Sequence, residues 1–323
     1  PAVELLAITP GFGLQHEVKD NGRLNTLFDH VSDRAIGHAC DRVAPLVTDF
    51  CKQRGKRSGE QPFYARVGFS EVHRAFETYV AEDPEGVTVP AYLADTAGAR
   101  EDFAQFHGAI RCLDTAVGQI LDALEDAGLR EDTLVIFTTD HGIAFPRAKA
   151  TLYDSGLQTA LLMRWPGGFE GGQVCDQMLS NIDLFPTVLD ATATPSPEDV
   201  MGRSFWPLLA GGEYEANEQI FAEKSTAFDD IKRCIRTPRY KYIRNFDAGP
   251  QLRLPTDIEI SLTRRDMGDA HLEPRPPTEL YDLEADPLEQ RNLVGNPTFG
   301  EMEQRLRNEL DRFLTDTNDP VMR

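Results

Sequence analysis

The chain lacks what a nucleic-acid binder needs. Its 33 Lys and Arg face 53 Asp and Glu, a formal net charge of −20, and a phosphate backbone requires a basic face. No apolar run approaches the ~18 residues of a spanning helix, which excludes a transmembrane helix. The N-terminal PAVELLAITPGFGLQHE has neither a basic n-region nor a long apolar core and does not read as a signal peptide. Cysteines are few and badly spaced. Cys40, Cys51, Cys112, Cys175 and Cys234 make an odd count with no CxxC pair, which argues against a disulfide framework or a zinc site. Such thiols suit a reducing compartment, so the composition leans toward a cytoplasmic protein. There is no GxSxG nucleophile elbow and no GxxxxGK[ST] phosphate loop, and Gly11-Phe12-Gly13 does not extend to GxGxxG.

What is present is a full core. Hydrophobic residues make up 41% of 323 positions, enough for one large α/β domain with an appendage. Residues 34–53 carry a helical stripe, Ile36, Cys40, Val43, Val47 and Phe50, with Pro45 predicting a kink or a later start. Gln61–Phe69 reads as a buried strand. Arg100–Gly128 is the clearest helix, with Phe103, Phe106, Ile110, Leu113, Val117, Ile120 and Leu124 on one face. Thr133–Thr139 and Leu157–Trp165 read as strands, and Ile182–Ala191 as a short helix. Helix, turn, strand, loop and strand predict a mostly parallel sheet covered by helices. Past Gly211-Gly212, Gln219–Glu223, Ile231–Arg236, Tyr240–Arg244 and Glu279–Leu283 predict an antiparallel sheet, and Glu301–Leu314 an amphipathic helix. Residues 247–277 are irregular. The expected division is an α/β domain over 1–212 and an α+β unit over 213–323.

Chemistry concentrates after the 133–139 strand. Open α/β sheets bind ligands at the carboxyl ends of their strands, and there stands Asp140-His141-Gly142. A carboxylate at that place is either a ligand for Ca²⁺ or Mg²⁺ or a cap for the following turn. His141 either adds nitrogen to such an ion, contacts an anion beside it, or is incidental. Lys149, nine residues past Asp140, is either an ammonium for a tetrahedral oxyanion or a solvated surface lysine. His73 follows the 61–69 strand, where an imidazole serves acid–base work or bonds to the backbone. Arg74 beside it suits an anion, and His16 is a weaker candidate of the same kind as His73.

Taken in order, three segments resemble the formylglycine-dependent sulfatases of the alkaline phosphatase superfamily: PFYARVGFSEVHRAF, then DTLVIFTTDHGIAFPRAKATLYDSGLQTALLMRWPGG, then ELYDLEADPLEQRNL. The short GIAFPRAK loop, His73-Arg74, VPAYLADTAGAREDFAQF and Thr317-Asn318-Asp319-Pro320 are similar to the sulfamidase (heparan N-sulfatase) branch. The resemblance implies an alkaline-phosphatase-like sandwich, with its first βα units missing from this stretch, plus a smaller C-terminal α+β unit. It implies that Asp140 and His141 complete a divalent-cation site, Ca²⁺ by preference, although the family more often has Asn at the second position. It implies that Lys149 binds sulfate oxygens, that His73 assists departure of the leaving group, and that His16 corresponds to the His of a Gly-Lys-x-His segment whose Lys is Leu14 here. The substrate implied is a sulfated carbohydrate, as O-sulfate or N-sulfate.

The family's Asp-Asp metal ligands and its Cys-x-Pro-Ser-Arg segment, source of the formylglycine nucleophile, precede the His16 region. No cysteine here has that context. The resemblance therefore leads us to expect the C-terminal portion of a sulfatase, inactive by itself, with an exposed sheet edge that favours self-association. Two other readings stand beside it: a phosphodiesterase or phosphonate monoesterase of the same superfamily, and a catalytically dead anion-binding protein.

Overall fold

The computed structural model describes residues 4–10, 30–35, 39–55, 62–225 and 230–322. The chain forms two compact units. One comprises Pro1–Val89, Asp95–Leu134 and Trp165–Gly167, the other Pro90–Ala94, Val135–Arg164 and Gly168–Arg323.

The first unit holds a three-stranded parallel sheet in the order β2-β1-β3, from β1 (Glu4–Pro10), β2 (His30–Ala35) and β3 (Phe63–Val67). Helix α1 (Ala39–Gly55) runs through Pro45 without ending there. Helix α2 (Ala97–Asp126) begins three residues before the expected Arg100, because the Thr96 hydroxyl accepts from the Ala99 amide at 3.1 Å and caps it. Its apolar stripe is borne out in part: Phe103, Phe106, Leu113 and Leu124 are buried, Val117 and Ile120 are half-buried, and Ile110 is exposed. Chain reversal follows at Gly128, whose φ of 69° suits glycine. The two helices pack together, with Ala44 and Ala116 at their contact, small side chains that let the axes approach. Strand β3 is not the fully buried strand that its apolar run predicted. Its residues alternate between half-buried and exposed, Tyr64 being 48% exposed. Among the described strands it pairs on one edge only, with β1.

In the second unit β4 (Val135–Thr138) and β5 (Leu161–Arg164) pair antiparallel. The stretch between them contains only the single helical turn Asp154–Leu157, too little for the crossover that parallel neighbours need. After α3 (Leu184–Ala191) come β6 (Ile220–Lys224), β7 (Lys232–Arg236), β8 (Tyr240–Asn245) and β9 (Thr278–Asp282), an antiparallel meander in sequence order.

The period of two along these strands builds two cores. Ile235, Tyr242 and Leu280 point to the face covered by α4 (Gly300–Asp316), where Leu306, Leu310 and Leu314 are buried. Their neighbours Cys234, Ile243 and Tyr281 point to the other face and pack on Leu152, Tyr153, Leu252, Leu254 and Ile258. The register Cys234↔Ile243 and Ile235↔Tyr242 keeps like with like. Truncating Leu310 to Ala is expected to cost about 2–5 kcal/mol. The second core matters for chemistry, since Leu152 and Tyr153 lie just beyond Lys149 in the chain. Among the described residues no helix is long and apolar enough to cross a membrane.

Candidate functional site

At the end of β4 the chain turns through Asp140, His141 and Gly142. Gly142 is required by packing. Its amide donates to the Gly156 carbonyl at 2.9 Å, and a Cβ there would lie 1.9 Å from the Ser155 oxygen. Any side chain would push the turn away from the Tyr153–Gly156 segment. The loop that follows is closed on itself by the Lys149 amide, which donates to the Ile143 carbonyl at 3.0 Å. Ala144, Phe145 and Ala148 are buried beneath it. Arg147 and Ala150, on either side of Lys149, have φ of 63° and 65°, a conformation that non-glycine residues hold only where the surroundings enforce it. The surroundings here are visible. Arg147 donates to the carbonyls of Leu288 and Glu289 and stacks 4.1 Å above the Tyr153 ring, and the Ser155 hydroxyl donates to the Arg147 carbonyl at 2.6 Å. The loop is thus bolted to the C-terminal part of its unit.

Asp140 and His141 come together as expected. The imidazole Nε2 lies 3.7 Å from Asp140 Oδ1, with the carboxylate side chain 89% exposed and the imidazole 37%. His141 Nδ1 is 2.6 Å from the Gly142 carbonyl. A carbonyl only accepts, so that nitrogen carries the proton and Nε2 presents its lone pair toward the carboxylate. Two electron-pair donors facing one space suit a cation. They are too few to hold Ca²⁺, which takes about six to eight oxygen ligands. Among the described residues no group of three or more His, Cys, Asp or Glu is placed to bind a metal. By itself the pair does not make a cation site.

Lys149 sits on the same loop. Its ammonium is 2.9 Å from Asp257 Oδ2, the two side chains 16% and 23% exposed. Asp257 is the residue that the sequence did not reveal. It stands 108 positions away in the stretch read only as irregular, and no spacing links it to Lys149.

His73 and Arg74 belong to the other unit. His73 is exposed, its amide donates to the Ser70 carbonyl at 2.7 Å, and its Nδ1 lies 2.6 Å from the Arg74 carbonyl. By the same argument Nε2 is its basic nitrogen. The anion that Arg74 meets is Asp102 on α2, in a bidentate pair at 2.7 and 2.9 Å with both side chains buried. Arg74 also lies over the Phe76 ring at 4.4 Å. Its visible role is to hold the 70–76 turn against α2. His16 lies outside the described residues.

Three of the five cysteines are held away from nucleophilic use. Burial pushes Cys40, Cys51 and Cys234 up to about 11, so these thiols stay protonated at neutral pH. Cys175 is exposed.

Comparison with known proteins gives the family and the fold of the chain. The Sulfatase family model matches residues 10–194, more than half of the chain, and a second model, N-sulphoglucosamine sulphohydrolase, C-terminal, matches 141–255. An ulvan-active sulfatase of Formosa agariphila is 30% identical over 322 residues, covering 81% of this chain and 53% of the relative. Human N-sulphoglucosamine sulphohydrolase is 28% identical over 337 residues, covering 88% and 66%. The chain thus spans between half and two thirds of the length of these relatives. A structure solved in complex with its substrate D-glucosamine-2-N,6-O-disulfate superposes with a TM-score of 0.69 at 17% identity, covering 99% of this chain and 81% of that one. A phosphonate monoester hydrolase from Silicibacter pomeroyi does so at 0.64 and 20%, covering 88% and 62%. These two likenesses establish the alkaline-phosphatase-like fold.

Proposed function

From the premise that the chain belongs to the sulfatase family, we propose that its parent protein hydrolyses sulfate esters or N-sulfate groups of sulfated carbohydrate. The observation that carries this reading is the single loop at the end of β4. It presents an exposed carboxylate, an imidazole and, nine residues later, an ammonium paired with Asp257 between the positive-φ residues Arg147 and Ala150. Family membership implies a divalent metal and a formylglycine in general, and in our reading this loop serves that chemistry. In our reading the metal is Ca²⁺, with Asp140 and His141 contributing two of its ligands.

Lys149 holds sulfate oxygens as a point charge. Asp257 keeps that ammonium oriented until an anion arrives, and then shares it. Nε2 of His73 accepts or returns the proton of the leaving group, its tautomer set by the Arg74 carbonyl. None of the five cysteines has the Cys-x-Pro-Ser-Arg context of a formylglycine precursor. The exposure of Tyr64 and of Leu162, at 48% and 63%, supports self-association of this chain through its sheets.

The test is a substrate panel on the parent-length protein. It sets an N-sulfated glucosamine, an O-sulfated glycan fragment and an aryl sulfate against a phosphonate monoester. Highest kcat/KM on a sulfated sugar is the expected result. A preference for the phosphonate, whose hydrolases share the fold, would replace this reading with the second one.

A further inference from the structure

A cavity of about 180 Å³ opens in the second unit, walled by Tyr92, Arg147, Gln251, Thr263, Met267 and His271. Two backbone bonds, Gln251 amide to Glu273 carbonyl at 2.7 Å and Leu252 amide to His271 carbonyl at 3.1 Å, fix one wall. His271 is the anomaly. Its side chain is 1% exposed, and among the described residues neither ring nitrogen has a hydrogen-bond partner. The nearest carboxylate oxygen, on Glu259, is 4.0 Å away, and the other Glu259 oxygen accepts from Arg264 Nε at 3.1 Å. A buried polar group without a partner costs roughly 1–3 kcal/mol, so such a group in a cavity wall points to something that fills the cavity.

The lining sets the class of ligand. Tyr92, Leu252 and Met267 offer apolar surface, while Gln251, Thr263 and His271 carry groups that donate and accept. Arg147 and Asp266 bring opposite charges to the same wall, which disfavours a bare anion. A ring with an apolar C–H face and a rim of hydroxyls matches this mixture. The volume equals about six waters at ~30 Å³ each, the scale of one sugar ring rather than a chain. Arg147 also belongs to the anchored loop that carries Lys149, and Asp257, partner of Lys149, lies within the 251–271 segment that walls the cavity.

We propose that this cavity receives one hydroxylated sugar ring of the substrate and that His271 determines specificity for it. The proposal rests on the sulfatase reading for what the ring carries, and on the cavity alone for the ring itself. The test is saturation-transfer NMR on the 323-residue chain with two probes, glucosamine and inorganic sulfate. Glucosamine is expected to receive saturation, with affinity about tenfold weaker in His271→Leu, the loss of roughly one buried hydrogen bond. Gln251→Ala provides a second variant in the cavity lining. His271→Leu keeps its volume and removes the orphan nitrogens, so its thermal midpoint should not fall. Sulfate binding is expected to weaken in Lys149→Ala and to ignore His271→Leu. No transfer to glucosamine in the wild type, unchanged glucosamine affinity in both cavity variants, or displacement of glucosamine by sulfate would each overturn the proposal. Glucosamine binding that depends on His271, with sulfate binding indifferent to Lys149, would uphold the cavity and sink the sulfatase reading.

Discussion

At the end of β4 the Asp140 carboxylate stands 89% exposed beside an imidazole lone pair. On β8 the Lys241 ammonium is fully buried, 2.6 Å from Asp154 and 2.7 Å from Glu289. The same unit thus treats charge in two ways. In the C-terminal sheet every charge named here has a partner of opposite sign. Asp230 meets Lys224, Lys232 and Arg275, and Arg233 grips Asp319 at 2.6 and 2.9 Å. On the loop the Asp140 carboxylate is exposed, and the partly exposed Lys149–Asp257 pair lies between the two extremes. Buried ions are costly unless well paired, so the sheet's arrangement is what stability demands. A site for ions must leave some pairing undone.

The largest effect should come from breaking the sheet's side of that contrast. Lys241→Ala strands Glu289, whose side chain is 2% exposed. Burial already pushes Glu289 above the usual carboxylate range despite Lys241. Loss of the ammonium is expected to cost about 3–5 kcal/mol, read as a lower urea midpoint at unchanged slope. Adding Glu289→Gln to that variant should restore part of it. A Lys241→Ala protein as stable as the wild type would mean that the cluster is incidental.

Acid should come next, and it sharpens the comparison because the sheet's paired carboxylates owe their stabilisation to being ionised. Burial opposes ionisation of Asp154 and Asp230, yet Arg236 and Lys241 in one case, and Lys224, Lys232 and Arg275 in the other, hold both below the usual value of 3.8. A depressed folded pKa gives stability that is complete above the unfolded value and lost as pH falls through the folded one. Glu289, raised, has the opposite sign: its contribution is present at low pH and lost as pH rises through its folded value. The thermal midpoint should therefore hold from neutral pH down to about 5 and fall below about 4. A midpoint that rises as pH falls from neutral toward the usual glutamate value of 4.5, with no fall below about 4, would show that the raised glutamate outweighs the paired aspartates.

The two regions also differed in what the sequence disclosed. Strands β7, β8 and β9 and helices α2 and α4 were legible because burial imposes a period of 2 or 3.6 on local sequence. Strand β2, His30–Ala35, carries no such pattern in HVSDRA and owes its existence to pairing with β1. Asp140, His141, Lys149 and His73 were legible as chemistry at strand ends. Their partners were not, because Asp257 and Asp102 join Lys149 and Arg74 across 108 and 28 residues, a relation that only folding creates. His271 was one of seven histidines, in a stretch without periodicity, and only its burial and its empty hydrogen bonds single it out.

A smaller effect tests the intermediate case. Asp257→Asn keeps the shape of the Lys149 partner and removes its charge. A partly exposed pair of this kind is worth up to about 1 kcal/mol, so stability should drop by no more than that. Sulfate affinity should rise roughly fivefold, measured by titration calorimetry. Arg74→Lys, by contrast, should leave sulfate affinity unchanged, since Arg74 is already bound bidentately to Asp102. Unchanged affinity in Asp257→Asn together with a loss in Arg74→Lys would exchange the roles of the two cations.

The smallest effect on stability is expected where the carboxylate is most exposed. Among the described residues Asp140→Asn removes no partner but the His141 imidazole at 3.7 Å, and an exposed substitution of this kind shifts stability by about 0.5 kcal/mol or less. Its effect on metal binding should be out of proportion to that. A hard cation draws its affinity from anionic oxygen, and an amide oxygen cannot replace the charge. Calcium titration of the parent-length protein, followed by its thermal midpoint, should show a stabilisation that Asp140→Asn abolishes while the midpoint without calcium stays in place. If calcium still stabilises the variant fully, Asp140 is a turn residue, and the contrast between the two regions reduces to solvent exposure alone.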